Sequence, residues 1–160
     1  MSDPSIMTEG EGERVDPRLI RVLRIRAAIA ATVLLVAAIV AEVFVDGWTG
    51  VFAAPVILVA IVWVGILPRR RWAVRSFTMR DDELRAVHGL VTRWDNTVPF
   101  GRVQHLDVTR GALERANGIA TLVLHTAGSG VSSIAVEGLD LERAEAMRAY
   151  IRDIVKANTR

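Results

Sequence analysis

The chain has 160 residues, of which 51% are hydrophobic, and its 20 basic and 18 acidic side chains leave a formal net charge of +2. This near balance does not favour a nucleic-acid binder, which usually carries a strongly basic face. The absence of cysteine excludes disulfides, zinc–thiolate sites and cysteine nucleophiles.

Two long apolar runs dominate the first half of the chain. Residues 27–45 contain only two polar side chains, Thr32 and Glu42, and residues 51–67 contain no charge at all. Each run approaches the roughly 20 residues that a helix needs to cross the hydrocarbon core of a bilayer. We therefore predict two transmembrane helices, preceded by a partly disordered cytoplasmic tail over residues 1–26.

The connection between the runs is short, so the two helices are expected to form an antiparallel hairpin over residues 27–67. It reads DGWTG over residues 46–50, with Trp48 suited to the membrane interface. The arginines that flank the hairpin are Arg14, Arg18, Arg21, Arg24 and Arg26 before it and Arg69, Arg70, Arg71 and Arg75 after it. The positive-inside rule therefore places both termini in the cytoplasm.

Two features of the first run admit alternative interpretations. A cleaved signal peptide is disfavoured, because the leader before the run carries five acidic side chains and the apolar run exceeds a usual signal core. Glu42 is either a functional carboxylate within the membrane or a side chain tolerated near the outer interface. Its position close to the end of the run favours the second interpretation.

Basic and aromatic side chains follow the second run directly. Arg69, Arg70 and Arg71 each add on the order of 1 kcal/mol of attraction to anionic headgroups, and Trp72 is well placed as an interfacial anchor. We predict that these four residues form a membrane-interface site, with membrane lipids as its partners.

The rest of the chain, residues 72–157, has the pattern of a small β-rich cytoplasmic domain. From Trp72 to Arg160 there are twelve basic and eleven acidic side chains, as expected of an ordinary soluble surface. Turn signals such as Gly89 and a glycine-rich hairpin tip at residues 128–130 separate short runs of β-forming residues. The predicted strands cover residues 73–79, 84–88, 91–98, 103–109, 120–125 and 132–136.

The last segment changes to a helical period. Apolar residues recur at steps of three and four from Leu141 to Val155, and Asp140 is a natural N-cap. We predict a helix of about seventeen residues that closes an antiparallel β-barrel or sandwich. The expected fold class is thus α+β, a transmembrane hairpin followed by a β domain with a C-terminal helix.

Several stretches resemble the bacterial pleckstrin-homology-like (PH-like) family of YdbS-type membrane proteins, also described as membrane-flanked domains. They are Asp81–Leu84 with His88–Leu90, Val98–Val108 (VPFGRVQHLDV) and Leu113–Gly128 (LERANGIATLVLHTAG). The paired transmembrane run upstream is also typical, so the resemblance spans the whole chain. It implies two sheets packed as a partly open barrel and plugged by the C-terminal helix.

That fold has seven strands, whereas the pattern predicts six. We expect the seventh in the Gly111–Gly118 connection or from a split of residues 91–98. Phosphoinositide binding does not follow from the resemblance, because a shared fold does not transmit a binding site and the first hairpin turn has three consecutive acids at residues 81–83.

The densest polar group of the β domain is Arg102, Gln104, His105 and Asp107. On a regular strand His105 and Asp107 face one side while Gln104 faces the other, so convergence of all four in one pocket is not expected. The three histidines of the chain lack metal-ligand spacing. We therefore predict no catalytic residue, no metal site and no cofactor.

These observations favour a non-enzymatic, membrane-anchored interaction module at the inner leaflet, which binds a protein partner or forms a homo-oligomer and does not bind nucleic acid. The alternative is a lipid-handling or enzymatic subunit with a polar site around residues 102–107. A third hypothesis is a structural subunit that assembles with longer relatives containing several such domains.

Overall fold

A computed structural model describes residues 12–44, 50–90, 92–126 and 133–158 of the chain. Its elements in chain order are β1 (Glu13–Arg14), α1 (Arg18–Phe44), α2 (Ala53–Gly65), α3 (Leu67–Ala73), β2 (Ser76–Met79), β3 (Glu83–His88), β4 (Trp94–Pro99), a 3-10 turn (Phe100–Arg102), β5 (Val103–Thr109), α4 (Ala112–Ala116), β6 (Ile119–Thr126), β7 (Ser133–Asp140) and α5 (Leu141–Asn158).

The chain divides into two compact units. The β-rich unit combines the residues up to Leu19 with those from Arg71 onward, and the helical unit is Ile20–Arg70. Two helical stretches, Arg18–Phe44 and Ala53–Ala73, are long and apolar enough to cross a membrane. The predicted turn around Trp48 lies outside the described residues.

Helix α1 begins well before the apolar run that predicted it. The carboxylate of Asp16 accepts a hydrogen bond from the backbone N–H of Arg18 at 2.7 Å and so caps the helix. Residues 18–26, which the sequence pattern assigned to the tail, are therefore helical. The apolar pattern marks the stretch suited to lipid, whereas the cap marks where the helix starts.

The β-rich unit contains two antiparallel sheets. One has the order β1-β2-β3-β4 and the other β5-β6-β7. Helix α5 packs against the second sheet and the 3-10 turn. The two sheets are not joined edge to edge within the described residues, so the α+β prediction is confirmed as an open sandwich with a C-terminal helix and not as a closed barrel.

The seventh strand precedes the first helix. Strand β1 pairs with β2 through Glu13 opposite Phe77 and Arg14 opposite Ser76. Both places where we expected this strand are wrong, because residues 94–99 form the single strand β4 and Ala112–Ala116 forms helix α4.

Local chemistry explains why α4 is helical. Its sequence, ALERA, consists of good helix formers. The Glu114 carboxylate accepts the backbone N–H of Gly111 at 2.8 Å and the Thr121 hydroxyl at 3.3 Å, which ties the turn to β6. Gly118 then adopts a φ of +71°, the left-handed conformation that commonly ends a helix.

The other predicted elements form with shifted ends. Strand β5 has the predicted bounds, whereas β2 starts at Ser76 because α3 runs through Ala73, and β7 extends to Asp140. Asp140 acts as the predicted N-cap, since its carboxylate accepts the backbone N–H of Glu142 at 3.1 Å. The predicted hairpin tip at residues 128–130 lies outside the described residues.

The core of the β-rich unit lies between the sheets and α5. Its large side chains that are fully buried are Phe77, Phe100, Leu19, Met79, Leu84, Ile119, Leu122, Leu124, Met147 and Ile151. Leu19 belongs to the first turn of α1, so the residues before the transmembrane run contribute to the same core as the C-terminal helix.

Candidate functional site

The segment before α1 is built into the β-rich unit by contacts with the segment after α2. The Trp72 indole N–H donates to the Val15 carbonyl at 2.8 Å, and the Arg14 guanidinium lies 5.9 Å from the centre of the Trp72 ring. The backbone N–H of Asp16 donates to the Gly138 carbonyl at 2.7 Å. A two-residue strand has no periodicity, so the sequence pattern could not reveal this arrangement.

The predicted membrane-interface residues differ in how far they are available to lipid. Arg69, Arg70 and Arg71 are exposed, whereas Trp72 is half-buried with its N–H already bonded. Their contact with lipid stays a prediction.

The structure does not bring together the predicted polar cluster. A register shift between Val103 and His105 buries Val103 and leaves Gln104, His105 and Asp107 exposed. The Asp107 carboxylate lies 3.4 Å from Nε2 of His125 on β6 and faces away from the core. Gln104 and His105 instead line a groove beside α5.

This β5–α5 groove has a volume of about 350 Å³. Its apolar floor is formed by Val103, Leu106 and Val155, and its polar rim by Gln104, His105, Arg148, Arg152 and Lys156. Arg102 is not among the lining residues, so two members of the predicted cluster take part and two do not.

The three cations on the rim form a stripe along α5. They are spaced four residues apart, which puts them on one face of the helix. The Arg148 guanidinium lies 2.5 Å from the Glu145 carboxylate. Within the described ranges neither Arg152 nor Lys156 forms an ion pair. The sequence analysis did not predict this stripe because it considered only the apolar face of α5, which packs against the core.

A second groove, of about 260 Å³, opens between the two sheets where β3 and β7 approach each other. His88 and Asn96 line it together with an ion pair, in which the Arg75 guanidinium lies 2.6 Å from the Glu137 carboxylate. This pair neutralises both charges and links the residue before β2 to β7, so the groove has a structural explanation.

Two further charge effects are local. The Arg85 guanidinium donates to the Asp95 carboxylate at 2.7 Å across β3 and β4, and this hydrogen bond lowers the pKa of Asp95 below its ordinary 3.8. Burial on α5, with the nearby Asp81 charge, raises the pKa of Tyr150. Among the described residues, no group of three or more His, Asp or Glu side chains is placed to hold a metal ion.

Glu42 has a structural partner in the helical unit. Its carboxylate accepts the backbone N–H groups of Phe52 and Ala53 at 2.8 and 2.9 Å. These N–H groups lie at the start of α2, where a helix leaves its first donors unbonded. Glu42 thus caps the second helix from the end of the first, a contact that the sequence pattern did not predict.

Comparisons with known proteins agree with this architecture. A family model described as "Bacterial PH domain" matches residues 18–155. The chain is similar to the "UPF0699 transmembrane protein YdbS" of Bacillus subtilis (strain 168), with 28% identity over 156 residues that cover 94% of this chain and 96% of that protein. No solved structure matches the chain.

Proposed function

The chain belongs to the bacterial PH domain family, and on this basis we propose that it is a non-enzymatic interaction module anchored in the bacterial inner membrane. In this proposal the helical unit crosses the membrane as a hairpin, and the β-rich unit binds protein partners beside the inner leaflet or joins a membrane complex. The relative named as a transmembrane protein supports the anchor.

The exposure of apolar side chains in the helical unit supports membrane insertion. Val43 is 76% exposed, Leu58 69% and Ile61 66%. Helix α2 contains no buried residue. Apolar surface of this extent is unfavourable in water and suits the hydrocarbon core of a bilayer, where it needs no protein cover.

The pairing of β1 with β2 supports placing both ends of the hairpin on one side of the membrane. Arg14 precedes the first span and Ser76 follows the second, yet they are opposite each other in one sheet. Strands that share hydrogen bonds cannot be separated by a bilayer. Together with the flanking arginines, this pairing favours a cytoplasmic position for the β-rich unit.

The observation that carries the proposed interaction role is the open edge of β5. In its sheet β5 pairs with β6 and, among the described residues, with no other strand. Its outer edge therefore offers backbone donors and acceptors. An extended segment of another protein commonly binds to such an edge by adding a strand to the sheet.

The alternative, a lipid-handling or enzymatic subunit around residues 102–107, is less well supported. It requires the polar side chains to converge, but Asp107 pairs with His125 while Gln104 and His105 line a separate groove.

The test is crosslinking of the tagged full-length protein in native membranes, followed by mass spectrometry of captured proteins and lipids. We expect protein partners that a control chain ending at Arg71, which lacks β2–β7 and α5, fails to capture. Identical capture by the two chains would contradict the proposal, and enrichment of a single lipid without any protein would favour lipid handling.

A further inference from the structure

The β5–α5 groove combines a strand edge with a row of basic side chains. One wall is the edge of β5 that pairs with no other strand among the residues the structure describes, and β5 has a register shift at Gln104. The other is the stripe of Arg148, Arg152 and Lys156 on α5. Among the described residues only Arg148 of the three has an acidic partner, so Arg152 and Lys156 give the groove an excess of positive charge that no ion pair in the described ranges offsets.

The spacing of the stripe matches an extended chain. Side chains four residues apart on a helix are separated by about 6 Å along its axis. Alternate side chains of a strand, which share one face, are separated by about 6.6 Å. Three acids at alternate positions of an added strand would therefore span about 13 Å, against about 12 Å for the three cations of α5.

We propose that the β5–α5 groove binds an extended acidic segment of a partner protein, which adds a strand to the free edge of β5 and directs alternate carboxylates to Arg148, Arg152 and Lys156. The inference rests on the proposed function and supplies the partner's chemistry. The apolar floor of Leu106 and Val155 receives the aliphatic parts of the same inward-facing side chains.

An anionic lipid headgroup would satisfy the cations as well, but it would leave the edge of β5 unused. A headgroup offers no row of backbone donors and acceptors, whereas a peptide strand supplies both along the length of β5. The combination of a strand edge with evenly spaced charges therefore favours a protein segment.

The experiment uses the full-length protein in phosphatidylcholine nanodiscs and a fluorescein-labelled peptide, Thr-Glu-Val-Glu-Val-Glu-Thr, titrated by fluorescence anisotropy. One control peptide has the three glutamates in a row, and another has prolines in place of the valines, which keeps the charge and removes backbone donors. The protein variant is Arg152→Glu with Lys156→Glu, and the matched control is Arg115→Glu, an exposed arginine on α4.

We expect the alternating peptide to bind at least about tenfold more tightly than either control peptide, because only it has both the charge spacing and the backbone donors. The double variant should weaken that binding by about tenfold or more, and Arg115→Glu by less than about twofold. Circular dichroism checks that each variant is folded.

Equal binding of the three peptides would overturn the inference. If short-chain phosphatidylglycerol also displaced the peptide, the groove would be a site for anionic headgroups instead. The crosslinking experiment separates this failure from failure of the proposed function. If Arg152→Glu with Lys156→Glu captures the same partners as the native chain, the module still binds proteins but not through this groove.

Discussion

At the scale of single residues, side chains far apart in sequence hold the β-rich unit together. Trp72 bonds the backbone at Val15, and Arg75 pairs with Glu137. A hydrogen bond to a part-buried carbonyl stabilises a fold by roughly 0.5–1.5 kcal/mol, and loss of one partner leaves the other unsatisfied. The contact of Trp72 with Val15 ties the residues before α1 to the β-rich unit.

The first prediction concerns Trp72. We expect Trp72→Phe to lower the free energy of unfolding of the β-rich unit by about 1 kcal/mol, because the Val15 carbonyl loses its donor. Denaturant unfolding in detergent, followed by circular dichroism, measures this change. Hydrogen exchange should become faster at residues 13–16. Trp94→Phe is the control, since Trp94 is 56% exposed, and an equal loss there would contradict the interpretation.

The second prediction concerns pH. The hydrogen bond from Arg85 lowers the pKa of Asp95 in the folded protein below 3.8, so the folded state favours the charged carboxylate. The stabilisation is therefore present above about pH 4 and disappears as the pH falls through the lowered pKa. We expect the stability difference between the native chain and Asp95→Asn to be constant from about pH 7 to pH 5 and to shrink below about pH 4.

Denaturant unfolding at a series of pH values measures that difference. Asp153→Asn serves as the control, because Asp153 is exposed and has no ion pair within the described residues. A stability difference that grows on acidification would show that the Arg85–Asp95 pair does not act in this way.

At the scale of elements, a bulge in β7 receives the start of α1. The register of β6 with β7 shifts so that Gly138 is an extra residue between Glu137 and Leu139, with a φ of +75°. A β-carbon at this position would lie 2.9 Å from Cδ2 of Leu19. Glycine is therefore required both for the backbone conformation and for the close approach of the first helical turn.

We expect Gly138→Ala to destabilise the β-rich unit by about 2 kcal/mol, through the strained left-handed backbone and the clash with Leu19. A thermal melt in detergent measures the loss. Gly101→Ala is the matched control, because a β-carbon there meets nothing within 4 Å. Similar melting temperatures for the two variants would show that Leu19 moves aside without cost.

At the scale of the whole molecule, the helical unit is an insertion within the chain of the β-rich unit. The first sheet takes its edge strand from before the hairpin and its other three strands from after it. The pattern of hydropathy suggested a single domain boundary near Trp72, but the β-rich unit also includes residues before the hairpin. A chain cut at that residue would lack β1, the Val15 carbonyl and the core residue Leu19.

The proposed membrane topology can be tested with introduced cysteines, because the chain has no native cysteine. We expect single cysteines at Ser5 and Thr159 to be protected from a membrane-impermeant maleimide in intact cells, and a cysteine at Thr49 to react. Permeabilised cells give the control reaction for all three. Labelling of Ser5→Cys and Thr159→Cys on opposite sides would contradict the shared sheet of β1 and β2.

The sequence by itself determined the features that depend on local pattern. Long apolar runs specify helices suited to a bilayer, alternation and turn residues specify most of the strands, and Asp140 specifies the start of α5. The family resemblance added the packing of two sheets with that helix, and the two antiparallel sheets with α5 packed against the second one confirm it.

Only the tertiary structure decided the features that depend on contacts between distant residues. Strand β1 has two residues and no periodicity, so its place is fixed by pairing with Ser76 and Phe77. The shift after Val103 brings Gln104 and His105 to one groove, although a regular strand would point them to opposite faces, because a bulge changes which side chains share a face. The basic groove exists because α5 packs beside the edge of β5 that no described strand pairs with, and elements as far apart in sequence as Val103–Thr109 and Leu141–Asn158 carry no local signal of that contact.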